Sequence, residues 1–314
     1  MKFKKPKFWD LEKPNFLSLL LLPLTLPVKI NNFFLNKKTF PQFKKIKTIC
    51  VGNIYIGGTG KTPTTIKLFK IMEKLRLKVC VGKKFYPSHI DEKMILEKNS
   101  KLICSGNRRK IISIAIEKNY DFLIFDDGLQ DKTITYDLQF VCFDSDCWIG
   151  NGELLPSGPL REKITSLKKY DAIFLKTGKE NGERFENIIK SINPNIKVFE
   201  TTYEINNINN FNLSENYLIF SGIGNPKNFK KILIENKFKV VSEIIFPDHF
   251  SYNQNVINKI RIKAKGLNAK IITTEKDFLK ISKIDKDDIN FIDIDLIIKN
   301  EKDLINFLKS KIYE

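Results

Sequence analysis

A glycine-rich turn, Val51-Gly52-Asn53-Ile54-Tyr55-Ile56-Gly57-Gly58-Thr59-Gly60-Lys61-Thr62-Pro63, constrains the fold of this chain more than any other stretch. The run before it, Ile46 to Val51, is apolar and β-branched, as in a buried strand. After it, Ile66, Phe69 and Met72 with Leu68, Ile71 and Leu75 recur at helical spacing. Pro63 suits the first turn of that helix. Strand, glycine turn and helix in this order call for an α/β fold around a parallel sheet.

The composition of the turn has a chemical reading. Glycines permit positive φ and close approach of backbone, so successive N–H groups and the helix N-terminus can surround phosphate oxygens. Lys61 then neutralises terminal phosphates, and the Thr62 hydroxyl reaches Mg²⁺. The strict form of such a loop has glycine five residues before Gly60; this chain has Tyr55 there, with Gly57 and Gly58 supplying the flexibility.

With 314 residues and 42% hydrophobic content, the chain can bury one large or two ordinary α/β domains. Its net charge of +18 fits an anionic partner, whether nucleic acid, membrane surface or phosphorylated substrate. It fits equally a solvated surface, because lysine, asparagine and isoleucine are heavily used throughout. The five cysteines (Cys50, Cys80, Cys104, Cys142, Cys147) show no C-x-x-C pairing and read as reduced thiols, several of them in apolar runs. Two histidines, His89 and His249, leave a zinc site little to build on.

Residues 1–45 form a distinct N-terminal segment. Lys2, Lys4, Lys5, Lys7 and Lys13 with Phe3, Phe8 and Trp9 lead into an apolar run from Phe16 to Val28 that is broken by Pro23 and Pro27. The run falls short of the ~20 apolar residues of a spanning helix and lacks a small-residue cleavage site. It reads as a segment lying in a membrane interface, or as a helix packed on the domain.

Residues 46–200 read as the nucleotide domain. Lys78 to Val81 is a short strand, Gly82 to Ile90 a loop, and Leu102 to Cys104 a strand before a basic helix. Asp121 to Phe125 is an apolar strand running into Asp126-Asp127-Gly128-Leu129-Gln130, carboxylates where a phosphate loop needs them for Mg²⁺. Gly150 to Glu162 is rich in turn formers and reads as a structured functional loop. Residues 201–314 read as a smaller α/β unit. Its first strand enters Ser221-Gly222-Ile223-Gly224-Asn225-Pro226, an ordinary tight turn rather than a dinucleotide fingerprint, which needs a later glycine. His249 follows Asp248 after the strand Lys239 to Phe246, Thr274-Glu275-Lys276-Asp277 forms another polar strand end, and Phe291 to Leu296 is a last strand.

Together these motifs resemble the tetraacyldisaccharide 4'-kinase family, the lipid A 4'-kinases of Gram-negative bacteria. The resemblance runs over nearly the whole chain, through 51–63, 126–130, 150–162, 221–226, 248–249 and 274–277. It implies a P-loop NTPase-like parallel-sheet domain, a second, smaller α/β domain closing the cleft, and an N-terminal membrane-associating segment. It also implies transfer of phosphate from ATP, with Mg²⁺, to the 4'-hydroxyl of a tetraacyldisaccharide 1-phosphate at the cytoplasmic face of the inner membrane, where anionic lipid is a further partner. On this resemblance Gly57, Gly58, Thr59, Gly60, Lys61 and Thr62 bind ATP, and Thr62 with Asp126 or Asp127 holds the metal. Asp91 removes the hydroxyl proton with the aid of His249. Arg161 and Glu162 contact phosphate, order the cleft, or form a structural ion pair.

Two positions depart from the family pattern. Around Asp91 the Gly-Asp-Glu-Pro pattern has Ile90 and Lys93 at its ends, so Glu92 is the alternative base. Asp131 stands where the family has histidine. Two other classes fit less well: a switch GTPase needs a base-reading motif that Thr-Glu-Lys-Asp imitates poorly. A nucleic-acid-binding ATPase would gather its lysines with aromatics, and no nucleic-acid partner is expected.

Overall fold

The computed structural model describes residues 5–37, 43–131, 133–178 and 182–313; Lys2, Phe3 and Lys4 of the basic N-terminal stretch lie outside the described residues. Helices α1 (Phe16–Leu21) and α2 (Leu26–Lys37) precede β1 (Lys47–Gly52), α3 (Lys61–Lys74), β2 (Val79–Lys84), α4 (Ile90–Asn99) and β3 (Leu102–Ser105). Then come α5 (Arg108–Glu117), β4 (Phe122–Asp126), β5 (Leu138–Asp144), β6 (Ala172–Lys176), α6 (Gly182–Ile192) and β7 (Lys197–Ile205). The chain continues through β8 (Asn216–Ser221), α7 (Pro226–Glu235), β9 (Lys239–Ile245), α8 (Gln254–Gly266), β10 (Ala269–Thr274) and the short α9 (Glu275–Phe278). It closes with β11 (Ile289–Ile292), β12 (Ile294–Ile298) and α10 (Glu301–Tyr313).

The larger sheet has eight strands in the order β12-β7-β6-β5-β1-β4-β2-β3, parallel from β7 to β3. Its central strands are buried end to end because both faces are covered, and β4 and β6 are apolar up to a charged last residue. Strand β1 sits between β4 and β5, so the connections diverge on either side of it. In open parallel sheets such a divergence opens a crevice at the carboxyl ends of the strands. The glycine loop leaves β1 there and Asp126 ends β4.

The smaller sheet has four parallel strands, β11-β10-β8-β9. Alternation along β8 sends Tyr217 and Ile219 to the face covered by Phe229 and Leu233 of α7, and Leu218 and Phe220 to the face covered by Ile257 and Ile260 of α8.

Two compact units result. The smaller comprises Tyr86–Asn99 and Tyr203–Asp295, and the larger holds the remaining described residues except those two stretches. The contiguous division at 46–200 and 201–314 therefore differs from the observed one in two places. Helix α4 goes with the smaller unit. The stretch from Leu296 goes with the larger, since Phe307 of α10 packs on Phe140 and Phe199, and Lys67 pairs with Glu301 at 2.8 Å.

Two local expectations are also corrected. Strand β2 continues to Lys84, where a loop was expected, because Lys83 is buried and paired rather than solvated. The expected strand from Phe291 to Leu296 is two strands, β11 in the smaller sheet and β12 in the larger.

The N-terminal segment packs on the larger unit by its polar side. The chain stays helical through Pro23 and Pro27, with the 3-10 turn Leu22–Thr25 between α1 and α2, since each proline falls in the first turn of a helical piece. Ser18 and Thr25 are wholly buried, Ser18 exchanges hydrogen bonds with Ser157 and accepts from Asn151 Nδ2 at 2.8 Å, and Asn32 donates to the Arg161 carbonyl at 3.0 Å. These three polar residues recur every seven positions. Phe16, Leu20, Leu24, Leu26, Ile30 and Phe33 face outward, Phe16 with 78% of its surface exposed. The usual amphipathic arrangement is thus reversed.

Candidate functional site

The residues singled out by sequence fall into two groups, one in each unit. In the larger unit the loop after β1 delivers Lys61 and Thr62 at the start of α3. Gly60 caps that helix in the left-handed region at φ +86° and Gly57 sits at φ +135°, conformations that only glycine adopts without strain. Asn53 braces the loop from within, donating Nδ2 to the Gly57 carbonyl at 3.2 Å and to Thr59 Oγ1 at 2.9 Å. With the first N–H groups of α3 free of intrahelical partners, this is an anion-binding arrangement.

Asp126, at the end of β4, is the fixed point beside the loop. Its Oδ2 accepts from Thr62 Oγ1 at 3.1 Å and from Lys83 Nζ at 2.7 Å, and Thr65 approaches Oδ1 at 3.4 Å. The Lys83 and Asp126 side chains are only 6% and 1% exposed. Thr62 and Asp126 together present oxygen donors alone, the set that suits a hard cation such as Mg²⁺.

Asp127 takes a left-handed φ of +64°, held by Arg108 Nη2 donating to its carbonyl at 2.6 Å. Burial pushes its carboxyl pKa up, but Lys61, Arg161, Lys83 and Arg108 outweigh burial and hold it at about 2. Asp126 is the residue joined to Thr62 and Lys83, and Asp127 the one beside Arg161. Arg161 Nη1 lies 3.5 Å from Asp127 Oδ1 and donates to Gln130 Oε1 at 3.1 Å. Glu162 is 5% exposed and accepts from Gln130 Nε2 and Tyr170 OH, each at 3.0 Å, and from Lys169. Arg161 thus faces the loop's carboxylates while Glu162 is a strut. Asp131, in the family's histidine position, pairs with Arg108.

In the smaller unit, Asp91 on α4 and His249 meet across 158 positions of sequence: His249 Nδ1 lies 2.9 Å from Asp91 Oδ1 and 3.0 Å from Oδ2. His249 is set in the left-handed region at φ +57°, its N–H bonded to Asp248 Oδ1 at 2.9 Å. Lys276 Nζ stands 3.4 Å from Asp91 Oδ2 and 3.1 Å from Asp248 Oδ1, with Lys280 Nζ 3.7 Å from Asp91 Oδ2. Burial of the Asp91 carboxyl works to raise its pKa. The His249 hydrogen bond and the two lysines outweigh this and hold it well below the usual carboxylate range. Glu92, the alternative base, is farther from the imidazole, with Oε1 4.0 Å from His249 Nε2.

Asp277 ties the remaining motifs together. Fully buried, it accepts from the Gly222 N–H at 2.9 Å, Tyr252 OH at 3.0 Å and Thr274 Oγ1 at 2.8 Å, and pairs with Lys280 at 2.6 Å. The stretch 274–277 therefore fixes the 221–226 turn and aims Lys276 at Asp91. Sequence reading gives no role to Lys83, nor to Gln130 and Lys276 although both stand in motifs it names, and it passes over Lys280. Only Lys276 and Lys280 carried a local signal, one helical turn apart behind a strand end.

A family model described as tetraacyldisaccharide-1-P 4'-kinase matches residues 16–313. A Pelagibacter ubique protein named tetraacyldisaccharide 4'-kinase is 48% identical over 310 residues, which cover 98% of each chain. One of the same name from Rickettsia akari is 33% identical, covering 100% of this chain and 99% of its own. Among solved structures, LpxK of Aquifex aeolicus in complex with ATP superposes with a TM-score of 0.69 at 21% identity, over 95% of this chain and 100% of that one.

Proposed function

Since the chain belongs to the tetraacyldisaccharide-1-P 4'-kinase family, we propose that it is the ATP-dependent kinase that phosphorylates the 4'-hydroxyl of a tetraacyldisaccharide 1-phosphate, forming the bis-phosphorylated lipid A precursor. The observation that carries this reading is the end-to-end match at 48% identity. The ATP complex of the Aquifex aeolicus protein supports ATP as the donor.

Phosphoryl transfer asks a protein chiefly for positioning and charge stabilisation. The backbone of Gly57 to Gly60 and the N-terminus of α3 cradle the phosphates, Lys61 neutralises the terminal ones, and Arg161 supplies a second cation. Thr62 and Asp126 would hold Mg²⁺, which when bound offsets charge on the phosphate oxygens. Lys83 pairs with Asp126 and holds its carboxylate beside Thr62.

The Asp91–His249 pair handles the proton. The resemblance assigned its removal first to Asp91. With Asp91 only 2% exposed and held strongly acidic, a division like that of other buried aspartate–histidine pairs is favoured. Asp91 accepts a hydrogen bond from the Nδ1–H and fixes the tautomer, and His249 Nε2 takes the 4'-hydroxyl proton as the new O–P bond forms and the bond to the ADP oxygen breaks. The Asp91 and Asp248 carboxylates then balance the imidazolium.

The N-terminal segment lies on the cytoplasmic surface of the inner membrane. Support comes from the window Phe16–Phe33, 18 residues of mean hydropathy 1.4, of which 11% is buried. Burial of Ser18 and Thr25 leaves the apolar side outward, where lipid tails would cover it while the exposed Lys7 and Lys13 meet anionic headgroups. At a rise of ~1.5 Å per residue such a stretch is slightly shorter than a ~30 Å hydrocarbon core, which favours lying in the interface over crossing it.

The test is transfer of labelled γ-phosphate to tetraacyldisaccharide 1-phosphate in micelles, with the modified position assigned by NMR. Phosphate at the 4' position is the expected product. ATP hydrolysis without transfer would overturn the reading.

A further inference from the structure

The two histidines of this chain, 160 positions apart, lie together in the smaller unit. The rings of His89 and His249 stack with centroids 4.3 Å apart and planes within 9°. Beside them stands Glu92, one helical turn beyond His89, with Oε2 3.8 Å from His89 Nδ1 and Oε1 4.0 Å from His249 Nε2. One ligand atom from each of His89, Glu92 and His249 falls within 4.8 Å of the other two. We propose that His89, Glu92 and His249 Nε2 form a binding site for a borderline transition-metal ion of the Zn²⁺ type, distinct from the oxygen site at Thr62 and Asp126.

The chemistry of the donors sets the ion. Two imidazoles and a carboxylate match Zn²⁺, which takes three protein ligands and keeps a fourth position for water. Mg²⁺ prefers oxygen alone. The Asp91 contact supplies what metal-binding histidines ordinarily have: a carboxylate on the opposite ring nitrogen, which fixes the tautomer and raises the basicity of the ligating one. With the proton on Nδ1, His249 Nε2 carries the lone pair.

Ligands on one tetrahedral ion stand about 3.4 Å apart, from metal–ligand bonds near 2.1 Å. Closing from at most 4.8 Å takes rotation of His89 out of the ring stack, and its side chain is 38% exposed at the end of the short 3-10 stretch Pro87–His89. The surrounding charge is mixed. Asp248 Oδ2 lies 3.8 Å from His249 Nε2 and favours a cation, while Lys276 Nζ, 3.9 Å from Glu92 Oε1, must yield Glu92 to the ion. Asp91 faces His249 from α4, and Lys280 and Asp277 complete the charged groups packed behind it.

A consequence rests on the reading of His249 as proton acceptor: metal on Nε2 occupies the lone pair that the 4'-hydroxyl proton needs, so micromolar zinc would inhibit the kinase.

The experiment uses the full chain stripped with chelator and free of nucleotide. Zn²⁺ is titrated against a chromophoric chelator and Co²⁺ is followed by its visible absorbance, in the wild type, His89→Ala and His89→Phe. One ion per chain is expected in the wild type, with affinity lower by about tenfold or more in both variants. Equal affinity in all three would overturn the site. Weakening in His89→Ala alone would also overturn the ligand role, since phenylalanine keeps the stack without the nitrogen. Transfer assays in excess Mg–ATP then separate the two readings: His89→Ala should turn over normally without zinc and need about ten times more zinc for half-inhibition. Zinc that binds through His89 without slowing transfer would leave the metal site standing and remove His249 as proton acceptor.

Discussion

Replacing Lys83 by methionine probes the interior of the phosphate site without touching the loop. Lys83 Nζ and Asp126 Oδ2 are 2.7 Å apart, and both side chains are almost wholly shielded from water. Removing one member of such a pair strands the other charge at a cost of about 3–5 kcal/mol. Thr62 still donates to Asp126 at 3.1 Å, so the lower end, about 3 kcal/mol, is expected. The readout is convenient because both tryptophans, Trp9 and Trp148, belong to the larger unit. Urea unfolding followed by tryptophan fluorescence therefore reports on the unit that holds the pair. With a slope of about 2 kcal/mol per molar, the midpoint should fall by about 1.5 M. The double variant Lys83→Met with Asp126→Asn removes both charges and should recover much of the loss, giving a coupling of about 2 kcal/mol. A shift below about 0.3 M for Lys83→Met, or additive effects in the double variant, would refute the argument that a desolvated pair sets the cost.

Asp91 is held below its ordinary pKa in the folded protein, so its contribution to stability is complete above the unfolded value, near pH 4, and is lost as pH falls further. Hydrogen exchange across β8 and β10 should show the smaller unit loosening below about pH 4 in the wild type, and Asp91→Asn should be weaker at pH 7 yet flatter with acid; parallel pH curves would contradict this. Replacing Phe16, Leu20 and Phe33 together by serine should change stability by no more than about 0.5 kcal/mol per site, since these side chains are exposed, yet markedly reduce sedimentation with phosphatidylglycerol vesicles. Unchanged vesicle binding would mean the apolar face serves another purpose. Ser18→Leu should do the reverse, destabilising the fold by forcing a larger side chain into a wholly buried position and removing the Ser18 Oγ bonds to the Ser157 carbonyl and from Asn151 Nδ2.

What could be read from sequence was what is decided locally. The loop from Val51 to Pro63 announces itself because glycine, lysine and threonine act through their own backbone and the helix they begin. Asp126 follows from an apolar strand ending in carboxylates. Lys83 could not be read this way: a lysine next to Lys84 looks solvated, and only the parallel pairing of β2 with β4 turns it toward Asp126. The same limit hid the proximity of His89 and His249, which depends on α4 joining a unit whose other residues begin at Tyr203. Glu162 and Arg161 are neighbours in sequence with different fates, since Asp127 and Gln130 engage Arg161 while Tyr170 and Lys169 engage Glu162. The reversal of the N-terminal helices was legible in the spacing of Ser18, Thr25 and Asn32, once a polar stripe rather than an apolar one is taken as the inward face.

The central claim, phosphoryl transfer to a lipid disaccharide hydroxyl with proton removal by the Asp91–His249 pair, is tested most directly by single-turnover transfer in His249→Ala and Asp91→Asn at saturating ATP. The account predicts rates lower by about 10²–10⁴-fold in both, with ATP affinity within about twofold of the wild type. Transfer at the wild-type rate in either variant would contradict it.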